Sequence, residues 1–362
     1  MYNLLVMTKA LIMLSGGVDS SVAAALLLNA GYEVSAVTFQ LFDYAGDENS
    51  PGASYFAKAF ENAIQVAKIL GIAHSTWDIR REFQKSVIDP FISAYLSGRT
   101  PNPCVWCNQR IKFGLMLDRA FALGFDYIAS GHYARLLGDA TGYHLYRGID
   151  RAKDQSYFLW GLEAKSLPHL LFPMGELTKT QAREYARKLG LPSASADESQ
   201  EICFIPDGDI NSFIRRSAHP KAGIIADTKG NLLAKHQGIT DFTVGQRRGL
   251  GLGGGQPKQY VLSLDGETGK VIVGDEQELY HHSIKVGQAN AFSCNFSQIP
   301  TDLLGQIRYR YPPTPAKLTI LNNTSFRADF ASPVKAPAPG QSTVFYQQEE
   351  LIVGGIIEQI LR

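Results

Sequence analysis

Three of the four cysteines stand in two short segments whose residue types and spacing suit sulfur chemistry. Cys104 and Cys107 lie three residues apart, directly after a proline-rich approach, and Cys203 lies in a short apolar segment much further along the chain. A sulfur-transfer reaction needs one thiol that carries a persulfide and a second thiol that releases the sulfur or forms a disulfide. Cys203 and Cys107 are therefore candidates for dividing these two roles.

The same thiols are also candidate metal ligands. Half of a zinc deaminase signature is present, but no His-x-Glu sequence accompanies it. A structural zinc site needs a fourth ligand, and Cys294 is too distant in sequence to supply one readily; we expect it to be a core residue. An iron–sulfur cluster on Cys104, Cys107 and Cys203 stays an open alternative, because three thiolate ligands would leave one iron of a [4Fe-4S] cluster free to bind sulfide.

A glycine loop, Ser15–Ser21, stands between an apolar run and a predicted helix. Backbone N–H groups and the helix dipole form an anion site at such a junction, and glycines allow a pyrophosphate to approach closely. The serine hydroxyls can donate to phosphate oxygens, while Asp19 can cap the helix or help to hold Mg²⁺. No lysine follows the glycines, so the Walker pattern and transfer of the terminal phosphate are not indicated. A second glycine cluster, Gly249–Gly254, lacks a preceding strand and is not expected to bind a dinucleotide.

Composition describes an ordinary globular chain of two or three domains: 362 residues, 45% hydrophobic and 19% charged, with a formal net charge of +1. Without a global basic field, any nucleic-acid contact must come from local patches. One such patch is Arg308–Tyr311, where cations alternate with aromatic rings, although an exposed strand edge would look similar. No secretory signal and no membrane-spanning run is recognisable, so a cytoplasmic location is expected.

Strands and helices alternate up to about residue 215, which predicts a parallel sheet covered on both faces, as in Rossmann-like domains. The predicted strands are Leu11–Leu14, Val34–Leu41, His74–Ile79 and Tyr127–Ser130, and the predicted helices are Val22–Leu28, Tyr55–Leu70, Phe113–Leu123 and Thr178–Leu189.

Short strands broken by glycine turns follow, and they predict a small central β-rich domain and a C-terminal β-barrel. The predicted domains are 1–215, 216–282 and 283–362. The predicted strands are Gly223–Ala226, Asp241–Val244, Gln259–Leu264, Lys270–Val273, Ile284–Val286, Gly305–Tyr309, Ala316–Leu321, Phe326–Phe330, Ser342–Tyr346 and Leu351–Ile357.

Motifs along essentially the whole chain resemble those of the bacterial tRNA-specific 2-thiouridylases, the MnmA family of ATP pyrophosphatases (PP-loop superfamily). The motifs are Ser15–Ser21, Gly98–Pro103, Ser130–Tyr133, Lys153–Leu159, Glu201–Ile205, Val244–Arg247 and Pro339–Gln341. The resemblance implies an adenine-nucleotide α-hydrolase-like first domain. It also implies ATP-dependent 2-thiolation of the wobble uridine of tRNAs for Lys, Glu and Gln, through adenylation of the C2 oxygen and transfer of sulfur from a cysteine persulfide.

The resemblance also assigns individual residues. It implies that Cys107 is the nucleophile and that Cys203 carries the persulfide. ATP, with Mg²⁺, would bind Met13, Leu14, Ser15, Gly16, Gly17, Val18, Asp19, Ser20, Phe39 and Gly131. The uridine base would face Asn102, Pro103 and Cys104, and the rest of the tRNA would contact His132, Lys153, Asp154, Gln155, Arg308, Tyr309 and Gln341. The implied partners are tRNA and a sulfur-donor protein, either a cysteine desulfurase or a sulfur relay protein.

One residue departs from the family pattern. Many members have Asp where this chain has Cys104, and that Asp is thought to assist proton transfer at the base. A cysteine there puts the acid–base role in doubt and permits a three-cysteine site. Two other functions remain as alternatives: an amidating ligase with the same glycine loop, and a non-catalytic RNA-binding protein.

Overall fold

The computed structural model describes residues 7–42, 51–195, 202–253, 258–292 and 295–361. Up to residue 195 the strands are β1 (Lys9–Met13), β2 (Glu33–Gln40), β3 (Ala73–Asp78), β4 (Tyr127–Ala129), β5 (Ala134–Asp139), β6 (Gly142–Arg147) and β7 (Leu170–Leu171). The α-helices there are α1 (Val18–Asn29), α2 (Pro51–Leu70), α3 (Arg80–Phe83), α4 (Asp89–Leu96), α5 (Pro103–Trp106), α6 (Met116–Ala122) and α7 (Lys179–Lys188). Two π-helical segments cover Gln84–Ile88 and Cys107–Leu115.

From residue 202 onward strands dominate. A single α-helix, α8 (Ile210–Ser217), is described there, and it is followed by β8 (Gly223–Ala226), β9 (Leu232–His236), β10 (Tyr260–Asp265), β11 (Lys270–Gly274), β12 (Tyr280–Ala291), β13 (Asp302–Gln306), β14 (Thr314–Asn322), β15 (Ser325–Lys335), β16 (Ser342–Gln347) and β17 (Glu350–Leu361). Among the described residues, no helix is both long and apolar enough to cross a membrane.

The described residues form two compact units. The first contains the described residues up to 86, residues 104–207 and residues 349–351, and the second contains residues 87–103, 208–348 and those from 352 onward. The segment 87–103 therefore groups with residues that come more than a hundred positions later in the chain.

The first unit is built on a parallel five-stranded sheet in the order β3-β2-β1-β4-β7. Strand β1 lies at the centre of this sheet. Its side chains from Ala10 to Met13 are therefore all buried, as expected for a strand covered by helices on both faces. From β1 the chain continues to β2 on one side, while β4 lies on the other side. The carboxyl ends of β1 and β4 thus mark a topological switch point, where α/β sheets bind their ligands.

A β-hairpin formed by β5 and β6 was not predicted from the sequence. Its strands pair antiparallel from Ala134↔Arg147 to Asp139↔Gly142, and Tyr146 also pairs with Glu350. Both strands have exposed or half-buried positions over most of their length. They therefore lack the apolar pattern by which a strand is recognised in a sequence.

The second unit contains a four-stranded sheet in the order β10-β11-β8-β9 and a closed six-stranded barrel. The barrel order is β12-β15-β14-β13-β16-β17, and antiparallel pairing of β12 with β17 closes it. Fully buried side chains such as Phe326 and Phe345 fill its interior. The predicted fold class, a parallel α/β domain followed by a β-rich domain and a C-terminal barrel, is confirmed.

Several predicted elements were wrong in detail. No strand forms at Asp241–Val244, because the Gln246 amide binds Thr243 N–H and Asp241 C=O, and these side-chain bonds replace ladder bonds. Strand β13 ends at Gln306 rather than reaching Tyr309, and a turn follows it. The helix predicted from Phe113 is π-helical as far as Leu115 and α-helical only from Met116. Cys294 and Glu201, which the sequence interpretation included, lie outside the described residues.

Candidate active site

The glycine loop packs tightly against helix α2. Gly16 has φ of +76°, and a Cβ atom on it would lie 1.9 Å from the carbonyl oxygen of Ala59. Gly17 occupies the N-cap position of α1 with an extended conformation and no side-chain cap. Because neither residue has a side chain, the first N–H groups of α1 are not covered by a capping side chain, as an anion site requires.

The serine hydroxyls of the loop bond within the loop itself. Ser20 Oγ accepts a hydrogen bond from Ser15 N at 3.1 Å and lies 3.1 Å from Ser15 Oγ. The fully buried Ser21 donates from Oγ to the carbonyl oxygen of Gly17 at 2.8 Å. These bonds fix the shape of the loop, and donation to phosphate oxygens stays a prediction.

Asp19 does not cap α1, contrary to one sequence expectation, because the cap position belongs to Gly17. Its carboxylate instead accepts from Lys179 Nζ, at 2.7 Å to Oδ1 and 2.8 Å to Oδ2, and from Tyr133 OH at 2.7 Å. Lys179 begins helix α7 and Tyr133 precedes β5. Neither partner was predicted, because each is far from the loop in sequence.

The other residues predicted to bind ATP gather at the carboxyl edge of the parallel sheet. Met13 ends β1, Phe39 lies next to the end of β2, and Gly131 follows β4. A Cβ atom on Gly131 would lie only 2.7 Å from the backbone nitrogen of Ser20, so this segment touches the first turn of α1. Leu14 follows β1 and accepts from Thr38 Oγ1 at 2.7 Å. The remaining member, Val18, is the buried first residue of α1.

The three predicted thiols lie close enough to influence one another's ionisation. Cys107 is buried, whereas Cys104 and Cys203 retain solvent-exposed surface, and all three are free thiols. Desolvation raises the pKa of Cys104 to about 11 and also raises the pKa of Cys107. Desolvation raises the pKa of Cys203 most, and negative charge on Cys107 or Cys104 raises it further. The structure thus brings Cys203 to the other two thiols, although the two segments are distant in sequence.

Lys112 is a residue of this site that sequence interpretation missed. Its positive charge lowers the pKa of each of the three thiols and also that of His132. Lys112 lies five positions after Cys107, an offset that in an α-helix would place the two side chains about 140° apart. Both lie in the π-helical segment, where i→i+5 hydrogen bonds align residues five apart. The spacing of Cys107 and Lys112 was the available signal, but only a π-helix gives it meaning.

Two of the residues predicted to contact tRNA are buried in the first unit. His132 is 8% exposed, its Nδ1 lies 2.7 Å from Ser130 Oγ, and two aromatic rings pack against it. Desolvation holds the pKa of His132 well below its usual value, so the ring is neutral. Asp154, 6% exposed, accepts from the backbone N–H groups of Gly148 and Ser156, both at 3.1 Å. In this arrangement both side chains organise the local backbone.

Gln155 and Lys153 adjoin this cluster. Gln155 Oε1 accepts from Tyr133 N at 3.0 Å, and the Gln155 N–H donates to the carbonyl oxygen of Tyr133 at 2.8 Å. Lys153 is half-buried. Because Tyr133 also binds Asp19, the Lys153–Gln155 segment helps to position a residue that contacts the glycine loop.

The remaining predicted tRNA contacts belong to the second unit. Arg308–Tyr311 forms a turn in which the Arg308 guanidinium lies 4.7 Å from the Tyr311 ring centroid and Arg310 lies 5.3 Å from the Tyr309 ring. Gln341 precedes β16, and its backbone bonds both Ala338 and Ile357. Asn102 is half-buried and Pro103 is buried.

Within the described part of the chain, no three or more His, Cys, Asp or Glu side chains are grouped so as to hold a metal ion. The three thiols therefore do not form a ready ligand set in this arrangement, and a cluster on them stays a prediction. Asp19 is engaged by Lys179 and Tyr133, so its proposed role toward Mg²⁺ also stays a prediction.

Comparison with known proteins gives consistent matches over the chain. Family models described as the tRNA methyl transferase HUP domain, the tRNA methyl transferase PRC-barrel domain and the aminomethyltransferase beta-barrel domain match residues 8–207, 211–275 and 281–357. Among solved structures, NMN synthetase from Francisella tularensis is 18% identical and covers 54% of this chain and 67% of its own, but its TM-score of 0.33 is too low to bear on function.

Curated relatives share much more of the sequence. The tRNA-specific 2-thiouridylase MnmA of Carboxydothermus hydrogenoformans is 44% identical, covering 98% of both chains. The MnmA of Acetivibrio thermocellus is 42% identical over 97% of this chain and 99% of its own, and that of Sorangium cellulosum is 42% identical over 98% and 93%. At this identity over nearly the full length, the chain belongs to the tRNA-specific 2-thiouridylase MnmA family.

Proposed function

We propose that this protein is a tRNA-uridine 2-sulfurtransferase that activates the C2 oxygen of the wobble uridine, in tRNAs for Lys, Glu and Gln, with ATP and replaces it with sulfur. The observation that carries the proposal is that three thiols lie close enough to one another and to the charge of Lys112 to affect the pKa of Cys203, in the same compact unit as the glycine loop. An ordinary nucleotide-binding domain has no need of such a thiol cluster. The matching family models are described as methyl transferase domains, but neither the three thiols nor the glycine loop suggests methyl transfer.

In the first step, the uridine C2 oxygen attacks the α-phosphate of ATP, and pyrophosphate leaves. The backbone N–H groups at the start of α1 can bind the phosphates of ATP. The absence of a Walker lysine is consistent with cleavage between the α and β phosphates. Mg²⁺, when bound with ATP, would neutralise charge on the departing pyrophosphate. Adenylation turns the C2 oxygen, a poor leaving group, into AMP.

In the second step, sulfur replaces AMP. Cys203 carries a persulfide, the Cys107 thiolate attacks the Cys203 sulfur, and the released hydrosulfide attacks C2 as AMP leaves. The two cysteines are left as a disulfide, which an external thiol must reduce before the next turnover. A sulfur-donor protein, either a cysteine desulfurase or a sulfur relay protein, then restores the persulfide. Lys112 assists because its positive charge lowers the pKa of both thiols, and the thiolate, not the thiol, is the nucleophile.

The test separates the two steps. We expect Asp19→Ala to abolish tRNA-dependent AMP release while tRNA binding survives, because the variant loses the carboxylate that holds Lys179 and Tyr133 beside the loop. We expect Cys107→Ser and Cys203→Ser to bind tRNA and ATP but to form no 2-thiouridine. AMP release by Asp19→Ala at the wild-type rate would contradict the adenylation step. Ammonia-dependent AMP formation without RNA would identify an amidating ligase instead.

A cluster-based route to the same product is the second candidate, because Cys104, Cys107 and Cys203 lie close enough to affect one another's pKa. Anaerobic purification followed by iron and sulfide analysis distinguishes it, together with a thiolation assay of Cys104→Ala. Stoichiometric iron with loss of activity in this variant would indicate that a cluster delivers sulfide. Absence of iron with activity retained would leave persulfide exchange between Cys203 and Cys107.

A further inference from the structure

We propose that Lys179 binds the phosphates of ATP, supplying from helix α7 the cation that the glycine loop lacks. This inference rests on the proposed ATP-dependent function. From Ser15 to Ser21 the loop contains one charged residue, Asp19, and its charge is negative. Backbone N–H groups offer only partial charges to a polyanionic triphosphate, so an anionic loop without a nearby cation would bind it poorly.

Lys179 meets this need through its position. Its ammonium contacts both carboxylate oxygens of Asp19, the second residue of α1, and its side chain is only 12% exposed. The Asp19 side chain remains 34% exposed, so the ion pair faces solvent on the carboxylate side. The ammonium is thus held beside the first turn of α1, where the unpaired helix N–H groups lie.

The surroundings hold Lys179 in place at both ends of its side chain. Its backbone N–H donates to Asp150 Oδ2 at 2.9 Å, and Thr178 forms a capping box with Gln181 that fixes the start of α7. At the other end, Tyr133 OH donates to Asp19 Oδ1, and the ammonium lies 6.0 Å from the Tyr133 ring centroid. A preorganised cation loses little conformational entropy when the phosphate arrives.

The pair also gives Asp19 a role. Together with Lys179 it is electrically neutral, so the Asp19 carboxylate does not repel the triphosphate as an isolated charge would. Asp19 is then a positioning residue, which aims the ammonium at the loop, and Lys179 is the group that touches ATP. The Walker lysine is replaced by one that comes from a distant segment of the chain.

The experiment measures binding of MgATP and of adenosine to the full-length protein by calorimetric titration. We expect Lys179→Met to raise the Kd for MgATP about 10- to 100-fold, the worth of one charge-assisted contact, with the Kd for adenosine unchanged. Lys179→Arg keeps the charge and should recover part of the affinity. Because Lys179→Met leaves Asp19 without its cation, the double variant Asp19→Asn/Lys179→Met serves as the charge-neutral form in case the single variant does not fold.

Each outcome decides the matter. A selective loss of MgATP affinity in Lys179→Met, or in the double variant compared with Asp19→Asn alone, supports the assignment. Wild-type affinity for MgATP, or an equal loss for MgATP and adenosine, overturns it while leaving the proposed function intact. Failure of the wild-type protein itself to bind MgATP would overturn the proposed function and this inference together.

Discussion

The close approach of the glycine loop to helix α2 predicts a large penalty for a single methyl group. In Gly16→Ala the new Cβ would lie 1.9 Å from the Ala59 carbonyl oxygen and 2.7 Å from its carbonyl carbon. These are backbone atoms, so they cannot move aside as the end of a flexible side chain could. The φ of +76° adds a second cost, because side chains rarely adopt the left-handed region.

The magnitude follows from these two terms. The left-handed conformation costs about 1–2 kcal/mol for a residue with a Cβ, and overpacking costs about 1–3 kcal/mol. Gly16→Ala should therefore lower the free energy of unfolding by roughly 2–5 kcal/mol. For a unit of about 200 residues, each kcal/mol shifts Tm by about 2–4 °C, so the expected fall is roughly 4–20 °C.

Scanning calorimetry of the full-length protein checks this, with Gly190→Ala as the matched control. Gly190 also has positive φ, +65°, but a Cβ atom there would have no neighbour within 4 Å. The control should show only the conformational cost of about 1–2 kcal/mol. Equal shifts in the two variants would refute the close approach to Ala59, and an unchanged Tm in Gly16→Ala would refute both terms.

Three further predictions concern binding and ionisation. Gly17→Ala should fold normally, since its Cβ would meet only Ser15 Oγ at 3.6 Å, yet weaken MgATP binding at least tenfold because the methyl group intrudes on the phosphate; equilibrium dialysis measures this. Lys112→Met should raise the pKa of Cys107, because it removes the positive charge that lowers this pKa, and peptide mass spectrometry should show slower alkylation of Cys107 at neutral pH. Glu350→Gln should lower the pKa of His144, which Glu350 raises through a hydrogen bond, in an NMR titration. The stabilisation from this raised pKa is complete below the unfolded value of about 6.5 and is lost as pH rises through the folded pKa, so the variant should lose stability mainly at low pH.

Sequence patterns predicted the elements whose signal is local. Strand β1 is a continuous apolar run, the glycine loop follows it, and α1 ends before Gly31, so this sequence of elements was readable from residue types alone. These features depend on neighbours in sequence, and the structure agrees with them.

The missed residues depend on contacts that no local pattern encodes. Lys179 reaches Asp19 from a segment 160 positions away, and a lysine at the start of a helix has no distinctive signature there. Lys112 required a π-helix, which is rare and has no recognised sequence signal. Gly114 marks that segment in retrospect, because a Cβ atom on it would lie 2.7 Å from the carbonyl oxygen of Gln109, five residues earlier.

The influence of the three thiols and Lys112 on one another's ionisation bears on how sulfur is delivered. Negative charge on Cys107 or Cys104 raises the pKa of Cys203, and Lys112 is the cation that opposes this for each thiol. Ionising one thiol therefore makes the next ionisation harder, so the protein alone favours one thiolate at a time. Persulfide exchange needs only one thiolate nucleophile in each step. An iron–sulfur cluster needs three thiolates at once, and the positive charge of iron is what displaces their protons. A thiol titration of the iron-free protein that shows one ionisation well before the others would support this reasoning, and three thiols ionising together would refute it.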